Sequence, residues 1–277
     1  PTKSNLVDKL WVKKEKNNPK KFYTLPKKVV GLSHDSKVKR LINLLNSKGT
    51  NFQLITSGEN IAWLLNIRGS DSEFTPLTNA LLTIDIFKKI YLFCDLKKVN
   101  LSFKRNFNHI KFLDIKNINI YLTKIKNKKV LLDIDSCSLY FESILRKNNE
   151  IVYASDPINL LKSTKSKIEI KNIVKAHIYD GVALTKFLFW LKKNYKNKDI
   201  SEIAAQNKLL KFRKKNKNFR FLSFPTISGS GPNGSIIHYK ASKKSNRKLK
   251  KGDIYLVDSG GQYNYGTTDV TRTISLN

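Results

Sequence analysis

Apolar positions at helical spacing dominate the stretch SHDSKVKRLINLLNSKG (33–49), where Val38, Leu41, Ile42, Leu44 and Leu45 recur on one face. Capping residues stand ahead of them and Gly49 behind, so the stretch predicts a helix. FQLIT (52–56) then reads as a short strand and SGENIAWLLNI (57–67) as a second helix. NALLTIDI (79–86) and KIYLFCD (89–95) predict paired strands; HIKFLDI (109–115) and KVLLDID (129–135) add two more before the helix SLYFESILRKN (138–148). That alternation predicts an α/β domain with a mostly covered sheet.

The pattern changes near Ser163. A long helical stretch (166–194) is followed by a second helix over 199–216, with Asp199 predicted as N-cap and Glu202 three residues on. FRFLSF, SIIHY, DIYLVDSG and DVTRTIS then read as strands, giving an α+β unit. The expected division is a tail or linker over residues 1–30, an α/β domain over 31–160 and an incomplete second domain over 161–277. The chain has no methionine and stops as a hairpin arm finishes, which predicts an internal fragment.

Composition changes the picture little. Lys+Arg number 53 against 21 Asp+Glu, a net charge of +32. The lysines are scattered among many asparagines and isoleucines rather than gathered into a recognition element, so a solvated surface is favoured over a nucleic-acid interface. Steep salt dependence of binding would argue the reverse. No run is long and apolar enough to span a bilayer, and the start does not read as a signal peptide. Cys94 and Cys137 are far apart and outside any CxxC, which predicts reduced thiols and a cytoplasmic setting.

Two aspartates carry the chemistry. In DIYLVDSGGQYNYGTTDVTRTI, Asp258 shares a strand face with Ile254 and Leu256. A turn around residues 263–266 is expected to bring Asp269 opposite it on the same face. Opposed carboxylates repel, and burial raises the cost, so a proton, an arginine or a cation must offset them. Arg272 has the parity of the other face. A divalent metal pair fits best; the alternative is a pair of solvated aspartates near a glycine-rich turn. The loop GSGPNG (229–234) formally matches GxGxxG, but Pro232 and a strand-like segment follow where a dinucleotide site needs a helix. His238 follows that loop. His34, His109 and His177 show no partner at ligand spacing.

FPTISGSGPNGSIIHY (224–239) and GDIYLVDSGGQYNYGTTDVTRT (252–273) closely resemble the catalytic domain of Xaa-Pro aminopeptidases, the aminopeptidase P family with the pita-bread fold. NLVDKLW, NIAWLLNIRGSDSEFTPL, DPINLLKSTKSKIEIKN and AHIYDGVALTKFLFWL extend the resemblance to the long, three-domain form. It implies a creatinase-like α/β N-terminal domain followed by the first half of an α+β pita-bread domain, truncated at its C-terminus. It implies a hydrolase that releases the first residue of peptides with proline in second position. The cofactor implied is two divalent ions activating a bridging water: commonly manganese, with zinc or cobalt as alternatives. Asp258 and Asp269 match the two aspartate ligands, with Asp269 bridging. His238 matches a histidine that contacts substrate or moves a proton at the scissile bond. Arg68 lies in a segment facing the cleft, with a structural salt bridge favoured over a substrate contact. The resemblance also implies a homodimer for the intact enzyme, and no nucleic-acid or membrane partner. The remaining histidine and two glutamate ligands are expected beyond residue 277, so this chain is expected to be inactive alone. A prolyl dipeptidase, or a non-catalytic peptide- or protein-binding module of the same fold, are the alternatives.

Overall fold

The computed structural model describes residues 6–10, 20–196 and 199–277. Much of the expected 1–30 tail, residues 1–5 and 11–19, lies outside the described residues. Within the same expected tail, Phe22 is buried in the first core, and β1 (Tyr23–Thr24) pairs with β3 (Ile67–Arg68).

Strands β2 (Phe52–Ile55), β4 (Ala80–Asp85), β5 (Ile90–Cys94), β6 (Ile110–Asp114), β7 (Lys129–Leu132) and β8 (Glu150–Tyr153) form one mixed sheet in the order β6-β5-β4-β2-β7-β8. All four residues of β2 are buried, because both sheet faces are covered. Ile55, Leu82 and Leu92 face a core with Val38, Leu41 and Leu45 of the helix His34–Ser47 and Ile61 and Leu64 of the helix Gly58–Leu65. Phe52, Leu54, Phe93 and Val130 face the other side, against Leu122 and Leu145. This is the α/β layering that the alternating pattern predicts. Ser33 and Ser57 cap the two helices by accepting from the backbone N–H groups of Ser36 and Asn60. Both cysteines are free thiols, and burial pushes them up to about 12 for Cys94 and about 11 for Cys137.

The second unit opens with a 28-residue helix, Lys167–Asn194, started by a capping box between Ser166 and Glu169. The helix Glu202–Lys214 packs beside it. Ser201, not Asp199, is its N-cap, accepting from the Ala204 N–H, while Asp199 pairs with Lys248. Glu202 serves no capping box: it is fully buried and its carboxylate is turned to the following loop. β10 (Ile227–Ser230), β11 (Ile254–Ser259) and β13 (Val270–Ser275) form an antiparallel sheet, and β9 (Phe219–Leu222) pairs with β12 (Gly261–Tyr263). The strand expected at SIIHY is absent. A 3-10 turn spans Gly231–Ser235, and Ile236 and Ile237 stand 52% and 86% exposed, so neither has a layer to pack on. The strand lies instead at Ile227–Ser230, before Gly231 turns the chain with a φ of 58°.

Among the contacts that join the units, the Asn172 side-chain amide donates to the carbonyls of Lys28 and Val29, the Gln262 amide donates to that of Phe74, and the Arg220 guanidinium lies over the Tyr23 ring. Within the second unit the decisive contact is ionic. Arg213 and Asp180, 0% and 2% exposed, form a two-bond pair with Nε–Oδ1 at 2.7 Å and Nη2–Oδ2 at 2.9 Å. Ser259 accepts from Arg213 at 3.1 Å, and the Tyr263 hydroxyl donates to Asp180 at 2.7 Å. Arg213→Ala strands a buried carboxylate and should cost about 3–5 kcal/mol. Urea denaturation should show a smaller loss when Asp180→Leu is combined with Arg213→Met.

Candidate metal centre

β11 alternates cleanly. Tyr255, Val257 and Ser259 are buried towards the two helices, and Ile254, Leu256 and Asp258 face the other way. β13 runs antiparallel to it with Asp258 opposite Thr271 and Ser259 opposite Val270. Asp269 is therefore not directly opposite Asp258, as the sequence reading expects. The ladder continues through the Thr268 N–H to the Gly261 carbonyl and the Tyr263 N–H to the Gly266 carbonyl, both 2.9 Å. The turn falls at residues 263–266, where it is expected, but a turn there pairs residue 258 with residue 271, so the register differs from the expected Asp258–Asp269 pairing by two. Because strand side chains alternate with period two, Asp269 stays on the same face, diagonal to Asp258. Gly260 stands at the crossing point, where an added Cβ would meet the Thr268 carbonyl oxygen at 1.9 Å and the Ser223 hydroxyl at 2.2 Å; only glycine fits.

Asp258, Asp269 and His238 line one cavity of about 360 Å³, together with Phe224, Pro225, Ile227, Tyr239 and Lys240. Asp258 is half-buried and Asp269 exposed. Asp258 Oδ1 is shut off from solvent and has no hydrogen-bond partner. Among the described residues neither carboxylate takes part in an ion pair. Arg272 lies opposite Val257, on the other face of the ladder. A buried carboxylate oxygen with no donor is costly unless a cation meets it, and hard oxygen donors suit manganese or magnesium.

His238 is exposed and adopts a φ of 54°, a left-handed conformation that histidine enters more readily than most residues. Its neighbour Tyr239 holds it there. The Tyr239 hydroxyl donates to Glu202 at 2.8 Å, and Glu202 also accepts from the Ser230 and Arg247 N–H groups and the Asn233 amide. Burial, reinforced by the Glu202 bond, raises the Tyr239 phenol above its ordinary range. Glu202, Tyr239 and Lys240 belong to the site or its support, and nothing in their spacing marks them in the sequence. Arg68 is elsewhere. Its Nη1 donates to the Ala62 and Ile67 carbonyls at 2.8 Å, and it lines a separate cavity of about 450 Å³ between the two units, with Tyr23, Glu169 and Arg220. It forms no ion pair among the described residues.

Residues 13–169 match the model of the creatinase/prolidase N-terminal domain, and residues 171–277 match that of metallopeptidase family M24. A curated relative from Laccaria bicolor, a probable Xaa-Pro aminopeptidase P, is 36% identical over 98% of this chain and 43% of its own length. Xaa-Pro aminopeptidase ApepP of Drosophila melanogaster is 35% identical over 99% of this chain and 46% of its own. The X-prolyl aminopeptidase of Caenorhabditis elegans, described as a cytosolic enzyme with a di-nuclear active site, superimposes with a TM-score of 0.92 at 28% identity, over 99% of this chain and 46% of that one. A Bacillus anthracis Xaa-Pro dipeptidase shares the fold at a TM-score of 0.68, 21% identity and 88% of this chain against 65% of its own. The chain thus spans less than half the length of the two curated relatives. The fold and matches define a creatinase-like α/β domain running into a pita-bread metallopeptidase unit. The chain belongs to the creatinase/prolidase family, with its second unit of the M24 type.

Relieving the diagonal carboxylate pair should be measurable without substrate. In chelator, Asp258→Asn should stabilise the fold by up to about 1 kcal/mol. Added Mn²⁺ should raise the melting temperature of the parent chain more than that of the variant.

Proposed function

We propose that this chain is part of a metal-dependent Xaa-Pro aminopeptidase of the cytosol, dimeric when whole, acting on peptides with proline in second position. The observation that most supports this reading is the cavity shared by Asp258, Asp269 and His238, with its unpartnered Asp258 oxygen. Two divalent ions, manganese first and zinc or cobalt as alternatives, would supply there the charge that lowers the pKa of a water. Asp258 and Asp269 would hold them, and the exposed Asp269 carboxylate is the one open enough to be shared. His238 on the cavity wall would exchange a proton at the scissile amide. Phe224, Pro225 and Ile227 offer an apolar wall suited to a proline ring. Arg68, its guanidinium turned to backbone carbonyls, has an architectural role.

Within this cavity the described residues supply two carboxylates and one histidine. Two carboxylates alone bind a divalent ion weakly, so the 277-residue polypeptide by itself should not hydrolyse peptides. The test is cleavage of a Xaa-Pro-Xaa tripeptide in Mn²⁺ by this chain and by a chimera joining it to the C-terminal part of the Drosophila relative. The chimera should cleave before proline and lose activity about 100-fold or more on Asp258→Asn or Asp269→Asn. Cleavage of Xaa-Pro dipeptides in preference to tripeptides would establish the dipeptidase reading instead. Activity indifferent to both aspartates would overturn the site.

A further inference from the structure

A second cluster with ligand chemistry lies in the first unit, away from the proposed peptidase cavity. His34 opens the helix His34–Ser47, Asp35 follows it, and His109 stands just ahead of β6. Their ligand atoms all lie within 4.8 Å of one another. The sequence shows no spacing that links them; the fold makes the contact. The two imidazoles stack with centroids 5.1 Å apart and planes 5° from parallel, and His34 backs onto the Phe107 ring at 4.9 Å.

Both Nε2 atoms are shut off from solvent and neither has a hydrogen-bond partner. Both approach the same carboxylate: His34 Nε2 lies 3.4 Å from Asp35 Oδ2, and His109 Nε2 lies 3.8 Å from Oδ1. Packing alone does not account for two buried, unsatisfied imidazole nitrogens converging on one acid, because each forgoes a bond that water would provide. Burial lowers the pKa of both rings, which favours the neutral form with a free lone pair, the form that binds metal. Of the three, Asp35 borders a cavity of about 360 Å³, together with Ser36, Lys39, Ile42 and Lys88.

We propose that His34, Asp35 and His109 bind a zinc ion through two Nε2 atoms and a carboxylate oxygen, with water completing the tetrahedron. Two imidazoles and a carboxylate suit zinc, whose bonds to such ligands run to about 2.0–2.2 Å. Such bonds need the ligand atoms closer together than they stand here, so the stacked rings must turn towards a common point when the ion binds. The donor set also separates this site from the Asp258–Asp269 cavity, whose all-oxygen carboxylates favour harder ions. One resident cation competes: Lys88 Nζ lies 2.8 Å from Asp35 Oδ1. Lys88 is a half-exposed turn residue with a φ of 62°, and it can swing to solvent when zinc arrives.

The experiment is zinc titration against a chromophoric chelator, using the full 277-residue chain with Asp258→Asn and Asp269→Asn so that the other carboxylates stay silent. One zinc per chain is expected. His109→Gln should weaken binding by more than the about 10–100-fold that loss of an outer-shell partner costs. Lys88→Gln should tighten it, and this variant decides the matter should His109→Gln fold poorly. Cobalt bound in place of zinc should give the strong visible absorption of a tetrahedral site. Absence of binding, affinity unchanged in His109→Gln, or weaker binding in Lys88→Gln would overturn the proposal.

Discussion

The Arg213–Asp180 pair fixes where the proposed peptidase site can be. Two helices, Lys167–Asn194 and Glu202–Lys214, are bolted together through it, and its remaining hydrogen bonds reach Ser259 and Tyr263 on either side of Gly260. One buried ion pair therefore sets the height of β11 and β12 above the helices. Asp258 precedes Ser259, and alternation turns its carboxylate away from the helices and into the cavity. Such a pair stabilises little relative to an apolar core, because desolvation offsets most of its attraction. Its value here is geometric: a planar guanidinium facing a carboxylate accepts one orientation and rejects slippage.

Glu202 does comparable work for the other wall. Its single carboxylate gathers the Ser230 and Arg247 N–H groups, the Asn233 amide and the Tyr239 hydroxyl, drawing together the end of β10, the 3-10 turn after it and the irregular loop that follows. His238 sits next to Tyr239 and is exposed, so its own contacts do little to hold it. Both walls thus rest on acids buried behind the sheet, while the acids offered to a ligand stand in front of it.

Periodicity made the α/β unit legible. Repeats at helical spacing mark His34–Ser47, and the apolar runs of β4 and β5 are short enough to read as strands. It also placed Asp258 and Asp269 on one face. What it did not set was the register: the turn stands at residues 263–266 as expected, yet it pairs Asp258 with Thr271 and leaves Asp269 nearer the tip. SIIHY misled for a physical reason: β-branched residues favour strands only where a layer exists to pack on, and Ile236 and Ile237 have none. Asp199 and Ser201 are both good caps, and the fold uses the nearer one. Glu202 looked like a capping glutamate because burial is invisible locally. His34, Asp35 and His109 escaped notice because tertiary packing alone unites them.

The hairpin register has a consequence for how such sequences can diverge. Lengthening or shortening the tip by an even number of residues adds or removes whole cross-strand pairs and leaves Asp269 on the cavity face. An odd change would turn it towards the helices and expose its apolar neighbours instead. Insertions and deletions at this tip should thus survive in pairs across the lineage, with single-residue changes confined to chains that have given up the carboxylate pair.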